Sequence, residues 1–88
     1  MNLSNFNTSA ATNVQYMFRG CSNLTTLDIS NWELNITYSL SNKYMEMFDG
    51  CTTLSTITMK NCNQNTIYLI TNALDYANLT EQVTIITE

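Results

Sequence analysis

Histidine and proline are missing from this 88-residue chain, glycine occurs twice, and basic residues number three. Each shortage removes a class of function. A cysteine nucleophile needs a base beside it, and no histidine is present to serve. Three cysteines without a Cys-x-x-Cys pair make no zinc site either. Two isolated glycines form no phosphate-cradling loop, no dinucleotide fingerprint and no nucleophile elbow. Seven acidic residues against three basic ones leave a net charge of −4, which disfavours direct binding to nucleic acid or to an anionic membrane. No run approaches the roughly 18 consecutive apolar residues of a membrane-spanning helix, so membrane insertion is not expected. The carboxylates of Asp28, Glu33, Glu46, Asp49, Asp75, Glu81 and Glu88 are scattered rather than paired, and a catalytic acid and base need a shared pocket. No enzyme activity, metal or cofactor is expected. Without proline there is no obvious linker, and residues 1–88 read as one domain.

What the chain does have is repetition. Met17-Phe18-Arg19-Gly20-Cys21-Ser22-Asn23-Leu24 lines up without a gap on Met47-Phe48-Asp49-Gly50-Cys51-Thr52-Thr53-Leu54, and the match runs on to Asn31 and Asn61. A period of about thirty residues is the mark of a stacked repeat array. A third, decayed copy is expected to follow, giving copies at approximately 3–31, 32–61 and 62–88. In it Leu74 takes the Phe18 place, Leu79 the Leu24 place, and Val83 and Ile85 the places of Leu27 and Ile29. Tyr76-Ala77 replaces Gly-Cys there, as suits a terminal repeat that has no successor to stack on. The second copy also carries an insertion within loop 33–43.

The shared skeleton, with the tails Leu27-Asp28-Ile29-Ser30-Asn31-Trp32 and Leu3-Ser4-Asn5-Phe6-Asn7-Thr8-Ser9, resembles the leucine-rich repeats of the BspA-like family. The resemblance covers residues 3–62 well and 63–88 weakly. It implies a protein-binding role, since the repeats of that family serve adhesion and recognition on bacterial and protist surfaces. It does not name a partner.

The periodicity leads to a similar architecture by itself. Leu27 and Ile29 alternate as on a strand with one buried face, and the Thr, Ile and Leu around them suit a pleated surface. Parallel strands are predicted around 25–30, 55–60 and 83–87, with a short fourth at 2–5. Short helices are predicted around 14–18 and 44–48, each ended by Gly20 or Gly50 in a positive-φ turn. A longer helix is predicted over 66–77, with Ile67, Ile70, Leu74 and Ala77 on its apolar stripe. The fold class is therefore α/β: a short leucine-rich-repeat-like solenoid of about three coils, with a small parallel sheet on one side and helices on the other. Cys21 and Cys51 should stack as buried thiols, with a disulfide as the alternative. Cys62, at the Trp32 place, should face inward.

Two surfaces stand out as candidates for binding. If Leu27 and Ile29 point inward, Thr26, Asp28 and Ser30 point outward, matched by Thr56, Thr58 and Lys60 and then by Thr84, Ile86 and Glu88. Solenoids bind proteins on such sheet faces. The other candidate is loop 33–43, where Glu33, Tyr38 and apolar neighbours lie on an insertion over a rigid frame. The leading expectation is a non-catalytic protein-interaction module. The alternative is a small acidic intracellular inhibitor of the anti-CRISPR kind, carried by a phage or mobile element. Its Asp28, Glu33, Glu46 and Asp49 would occupy a nucleic-acid cleft. A third reading is a structural cap that associates through an open end coil, including as a homodimer, because nothing in the sequence covers the coil that starts at Leu3. No basic-then-apolar leader opens the chain. A complete protein would thus be cytoplasmic, and a piece of a larger one would be secreted or on the cell surface.

Overall fold

The computed structural model describes residues 1–5, 8, 17–34 and 46–88. Three short strands, β1 (Thr26–Asp28), β2 (Thr56–Thr58) and β3 (Thr84–Ile86), form a parallel sheet in the order β1-β2-β3. One helix, α1 (Gln64–Tyr76), lies between β2 and β3 in the chain. Thr26, Thr56 and Thr84 stand in one row, Leu27, Ile57 and Ile85 in the next, and Asp28, Thr58 and Ile86 in the third. The expected fourth strand is a single parallel bridge between Asn2 and Asp28. There the Asp28 N–H donates to Met1 O, and the Leu3 N–H donates to Asp28 O, both at 2.8 Å. The α/β class and parallel sheet are as expected. The short helices expected at 14–18 and 44–48 fall partly outside the described residues. Their described parts, 17–20 and 46–50, are turns closed by Cys21 N–H to Phe18 O and Cys51 N–H to Phe48 O.

The first two copies lie side by side because their backbone groups interlock. Phe18, Gly20, Ile29 and Asn31 donate to the carbonyls of Met47, Asp49, Thr58 and Lys60, at 2.8 to 3.1 Å. Each acceptor sits one residue before the donor's own equivalent in the second copy, as a parallel ladder requires. The corners match too. Gly20 and Gly50 have φ of 78° and 82°, and Asn31 and Asn61 have φ of 69° and 61°. Glycine bears no cost in this left-handed region, and asparagine bears less than most residues.

The third stretch uses the same device under another residue. Asn78 has φ of 61°, after the last turn of α1. Its N–H donates to Asp75 O, and the N–H of Leu79 donates to Leu74 O at 2.9 Å. These two bonds, with Leu79 and Leu74 both in the core, are the Schellman ending of a helix. Taking Asn78 as the counterpart of Gly20 and Gly50 aligns all three stretches without a gap through to their strands. The sequence-based placement of the third copy is therefore corrected. Leu79 holds the place of Cys21 and Cys51, Gln82 that of Leu24 and Leu54, and Ile85 that of Leu27 and Ile57. Val83 sits one place before the strand. The bonds agree: Leu24, Leu54 and Gln82 donate to the carbonyls of Cys21, Cys51 and Leu79.

Inside, Phe18 is stacked with Trp32, at 6.4 Å between ring centroids, and with Phe48, at 5.6 Å. The Trp32 indole N–H donates to Leu3 O at 2.9 Å, which satisfies its one polar atom. Leu27, Ile29, Leu34, Met47, Leu54, Ile57 and Met59 complete the core with almost no exposure. Helix α1 adds Leu69, Ile70, Ala73 and Leu74. Its apolar stripe is turned from the expected one, since Ile67 and Ala77 are only half-buried. The turn is set at its first residues. Asn63 caps the helix by accepting from the Thr66 N–H at 2.9 Å. The buried Thr66 hydroxyl donates to the Asn63 side chain and accepts from the Leu34 N–H at 2.8 Å. Those bonds draw Thr66 inward and Ile67 toward the edge.

A side chain at Gly50 would meet the backbone of Gly20, with a Cβ at 3.3 Å from its Cα, whereas a Cβ at Gly20 meets nothing within 4 Å among the described residues. Gly20→Ala should therefore cost only the left-handed backbone, about 1–2 kcal/mol. Gly50→Ala should lose roughly 1–3 kcal/mol more through crowding. Urea titrations followed by Trp32 fluorescence check this. Equal losses at the two sites would mean that the stacked turns part without resistance.

Candidate functional site

The outward rows of the sheet are the first candidate surface. Thr26, Thr84 and Ile86 are exposed, as is Lys60 beyond β2, and Asp28, Thr56 and Thr58 are half-buried. The structure brings these residues together in register. Ser30 is a correction to the expected outward set: it is 8% exposed. Its hydroxyl accepts from the Lys60 N–H at 3.1 Å, and its own N–H donates to Asp28 Oδ1 at 3.0 Å. Ser30 thus serves as a corner piece between the copies rather than a contact residue. The same local bonding explains the charge on the face. The Ser30 hydroxyl first, and then its backbone N–H, hold the Asp28 carboxyl below the usual carboxylate range, with Lys60 adding a smaller push in the same direction.

The four carboxylates expected to act together are placed apart. Asp28 stands on β1. Glu33 borders a depression of about 390 Å³ with Asn31, Asn61, Cys62 and Asn63. Glu46 and Asp49 lie in the turn before Cys51, where both approach Arg19, at 3.8 and 4.0 Å. These contacts join partly exposed side chains and add little to stability. Of the expected loop 33–43, only Glu33 and Leu34 are described; Tyr38 and the rest lie outside the described residues. Glu33 is exposed, and its N–H donates to the Thr8 hydroxyl at 2.9 Å. The Leu34 carbonyl accepts from the Asn65 amide at 2.9 Å. The insertion therefore starts from an anchored root.

All three cysteines are free. The Cys51 thiol donates to Phe18 O at 3.0 Å and the Cys62 thiol to Ile29 O at 3.2 Å, and burial pushes both thiols above their usual titration range. They behave as small apolar side chains with one weak donor each. The cavities along the described residues are shallow. One of about 490 Å³ runs along α1 past Gln64, Ile67 and Thr71, and one of about 350 Å³ lies among Asp75, Asn78, Thr80 and Glu81. Among the described residues no cluster of side chains is fit to hold a metal ion, and no helix is long and apolar enough to cross a membrane.

Sequence reasoning passed over a set of side chains that bond across from one copy to the next. The Thr53 hydroxyl reaches Ser22 O at 2.7 Å and Leu24 O at 3.0 Å. The Gln82 amide reaches Thr52 O at 3.1 Å and Leu54 O at 2.8 Å, repeating the bridge one layer on. The Ser55 hydroxyl bonds Thr25 O at 3.0 Å. Threonine and asparagine make up 27 of the 88 residues, and that excess was the available signal.

Because the Ser30 hydrogen bonds hold the folded Asp28 carboxyl below the ordinary aspartate range, its contribution to stability is present at neutral pH and is lost as pH falls through the folded value. The stability gap between the wild type and Asp28→Ala should accordingly be widest near pH 7 and close in strong acid. Thermal melts across pH 2 to 7 measure it. A gap that persists unchanged in acid would show that the charge plays no part.

No curated protein and no solved structure matches the chain. Residues 1–85 match a family described as "Mycoplasma protein of unknown function, DUF285". With that match running over nearly the whole chain, and the repeated turns and parallel sheet behind it, this protein belongs to the DUF285 family.

Proposed function

We propose that the chain is a short solenoid of about three coils and works as a non-catalytic protein-interaction module, with the outer sheet face as its contact surface. The observation that carries this reading is the in-register array of Thr26, Thr56 and Thr84 beside Asp28, Thr58 and Ile86. These side chains stand on a frame whose core is filled by Trp32, Phe48 and their neighbours. Rigid presentation lowers the entropy lost on binding. The resemblance of residues 3–62 to BspA-like repeats supports the same class of role.

Size limits how the face can be used. Three strands of three residues present on the order of 200 Å², against about 800 Å² per partner in a stable interface. A partner must therefore extend past the sheet, and the exposed Glu33 and Lys60 offer further contacts for it. Such a contact joins threonine hydroxyls and one isoleucine to a partner surface of mixed polarity, with Asp28 and Lys60 fixing its orientation.

The test is capture of partners by the tagged 88-residue chain from lysate and from surface-protein fractions of the source organism, at low and moderate salt. One stoichiometric partner should be retained by the wild type and lost with Thr26→Lys plus Thr58→Lys. A partner indifferent to those changes, or none in either fraction, would overturn the sheet-face reading. The inhibitor alternative predicts instead a nucleic-acid enzyme, released on raising salt.

A further inference from the structure

We propose that Cys21 and Cys51 form a thiol–disulfide exchange site, at which a small disulfide of the glutathione kind is reduced and a Cys21–Cys51 bond closes between the first two copies. The inference starts from what the two cysteines share. The Cys51 thiol reaches into the preceding layer and donates to Phe18 O at 3.0 Å, and the Cys21 N–H donates to the same oxygen at 3.1 Å. Both the N–H and the side chain of Cys21 lie near enough to act on the Cys51 thiol. The layers are held close just before this point. The Gly20 N–H donates to Asp49 O at 2.8 Å, which sets Gly20 opposite Gly50 and Cys21 opposite Cys51. Paired backbones lie about 4.8 Å apart, inside the roughly 4.4–6.8 Å between Cα atoms that a disulfide spans.

Cys62 supplies an internal contrast. It repeats the arrangement at the next corner: its thiol donates to Ile29 O at 3.2 Å, and the Trp32 N–H donates to that same oxygen at 3.2 Å. The residue it faces is an indole, so no disulfide can form there. In the third stretch Leu79 holds the place of Cys21 and Cys51, which leaves Cys51 no thiol on its other side. The chemistry is thus confined to one pair.

Exposure sets the order of events. Cys21 is half-buried, whereas Cys51 is 1% exposed, so an incoming disulfide meets Cys21 first. The Cys21 sulfur attacks one sulfur of the small disulfide; a mixed disulfide forms, and the Cys21 proton ends on the departing thiol. The Cys51 sulfur then attacks the Cys21 sulfur, and its proton leaves with the second small thiol. Two protein thiols are oxidised, and one disulfide is reduced to two thiols. Burial slows the second step by holding Cys51 protonated, and its fixed place beside Cys21 offsets that. Closure gives up the Cys51 bond to Phe18 O, but that carbonyl keeps the Cys21 N–H, so no buried acceptor is orphaned.

Oxidised glutathione added to the folded 88-residue chain tests the proposal. Tryptic cuts after Arg19, Lys43 and Lys60 put each cysteine in its own peptide, so mass spectrometry reads the pairing directly. The peptides holding Cys21 and Cys51 should be joined, with Cys62 left free for alkylation. Cys62→Ser should leave the reaction unchanged, and Cys51→Ser should stop it at one glutathione on Cys21. Closing a loop of about thirty residues should lower the unfolding constant in urea on the order of a hundredfold, and dithiothreitol should reverse the gain. Pairing with Cys62, crosslinks between molecules, or a bond that forms only after unfolding would each overturn the proposal. Mapping of the wild type decides the matter even where Cys51→Ser fails to fold. None of these outcomes depends on Thr26 or Thr58, so the partner-binding reading stands or falls separately.

Discussion

Every layer of this molecule depends on one constraint: neighbouring stretches must turn at the same place and in the same hand. A parallel ladder offers no hairpin to set register, so each strand has to be returned by a long connection to the same starting line. Here the register is set at corners where the backbone enters the left-handed region, Gly20 beside Gly50 and Asn31 beside Asn61. Bonds such as Gly20 N–H to Asp49 O and Asn31 N–H to Lys60 O tie those corners directly. Between them the apolar rows fall into line, and Phe18 meets Phe48 in a stack. If one corner slipped by a residue, Leu27 and Ile57 would turn from the core to the solvent.

Much of this was readable from the residues alone. The repeated glycines located one turn of each of the first two copies, and the Leu-x-Ile alternation located the strands to within a residue or two. The parallel order followed from the repeat. The third stretch was misplaced because the reading set Tyr76-Ala77 in the place of Gly-Cys, while Asn78 supplies the glycine's backbone conformation two residues later. In the structure Asn31 and Asn61 hold the same left-handed conformation at the other corner of their copies. The helix was found, but its buried face was turned by the hydroxyl of Thr66, a polar residue that an apolar-stripe argument ignores. Ser30 was assigned to the surface by alternation, which fails where a strand ends and a side chain bonds the next layer. The outward threonines emerged correctly as a group, since alternation holds within the strands themselves.

The unusual share of threonine, serine, asparagine and glutamine has a physical role beyond filling a surface. Three residues per strand provide few ladder bonds, and the side chains of Thr53, Ser55 and Gln82 add to them by bonding carbonyls in the preceding layer. Asn63 and Asn65 do the same for the Leu34 carbonyl at the root of the insertion. A buried or half-buried carbonyl left without a donor costs more than an ordinary hydrogen bond contributes. That cost falls at the part-buried carbonyls of Leu34 and Leu54, where the Asn65 and Gln82 amides supply donors.

The closeness of Gly50 to Gly20 is one-sided, and that gives the stack a direction. A substitution at the leading glycine meets only its own backbone preference, while the same substitution in the following copy strikes its neighbour. At this pair, then, the following turn is held to glycine by its neighbour and the leading turn only by its own backbone. Asn78 marks where the chain departs from glycine again, at a corner reached through a helix rather than a turn. The Gly50 corner is therefore held to glycine by the layer it leans on, and not by the turn alone.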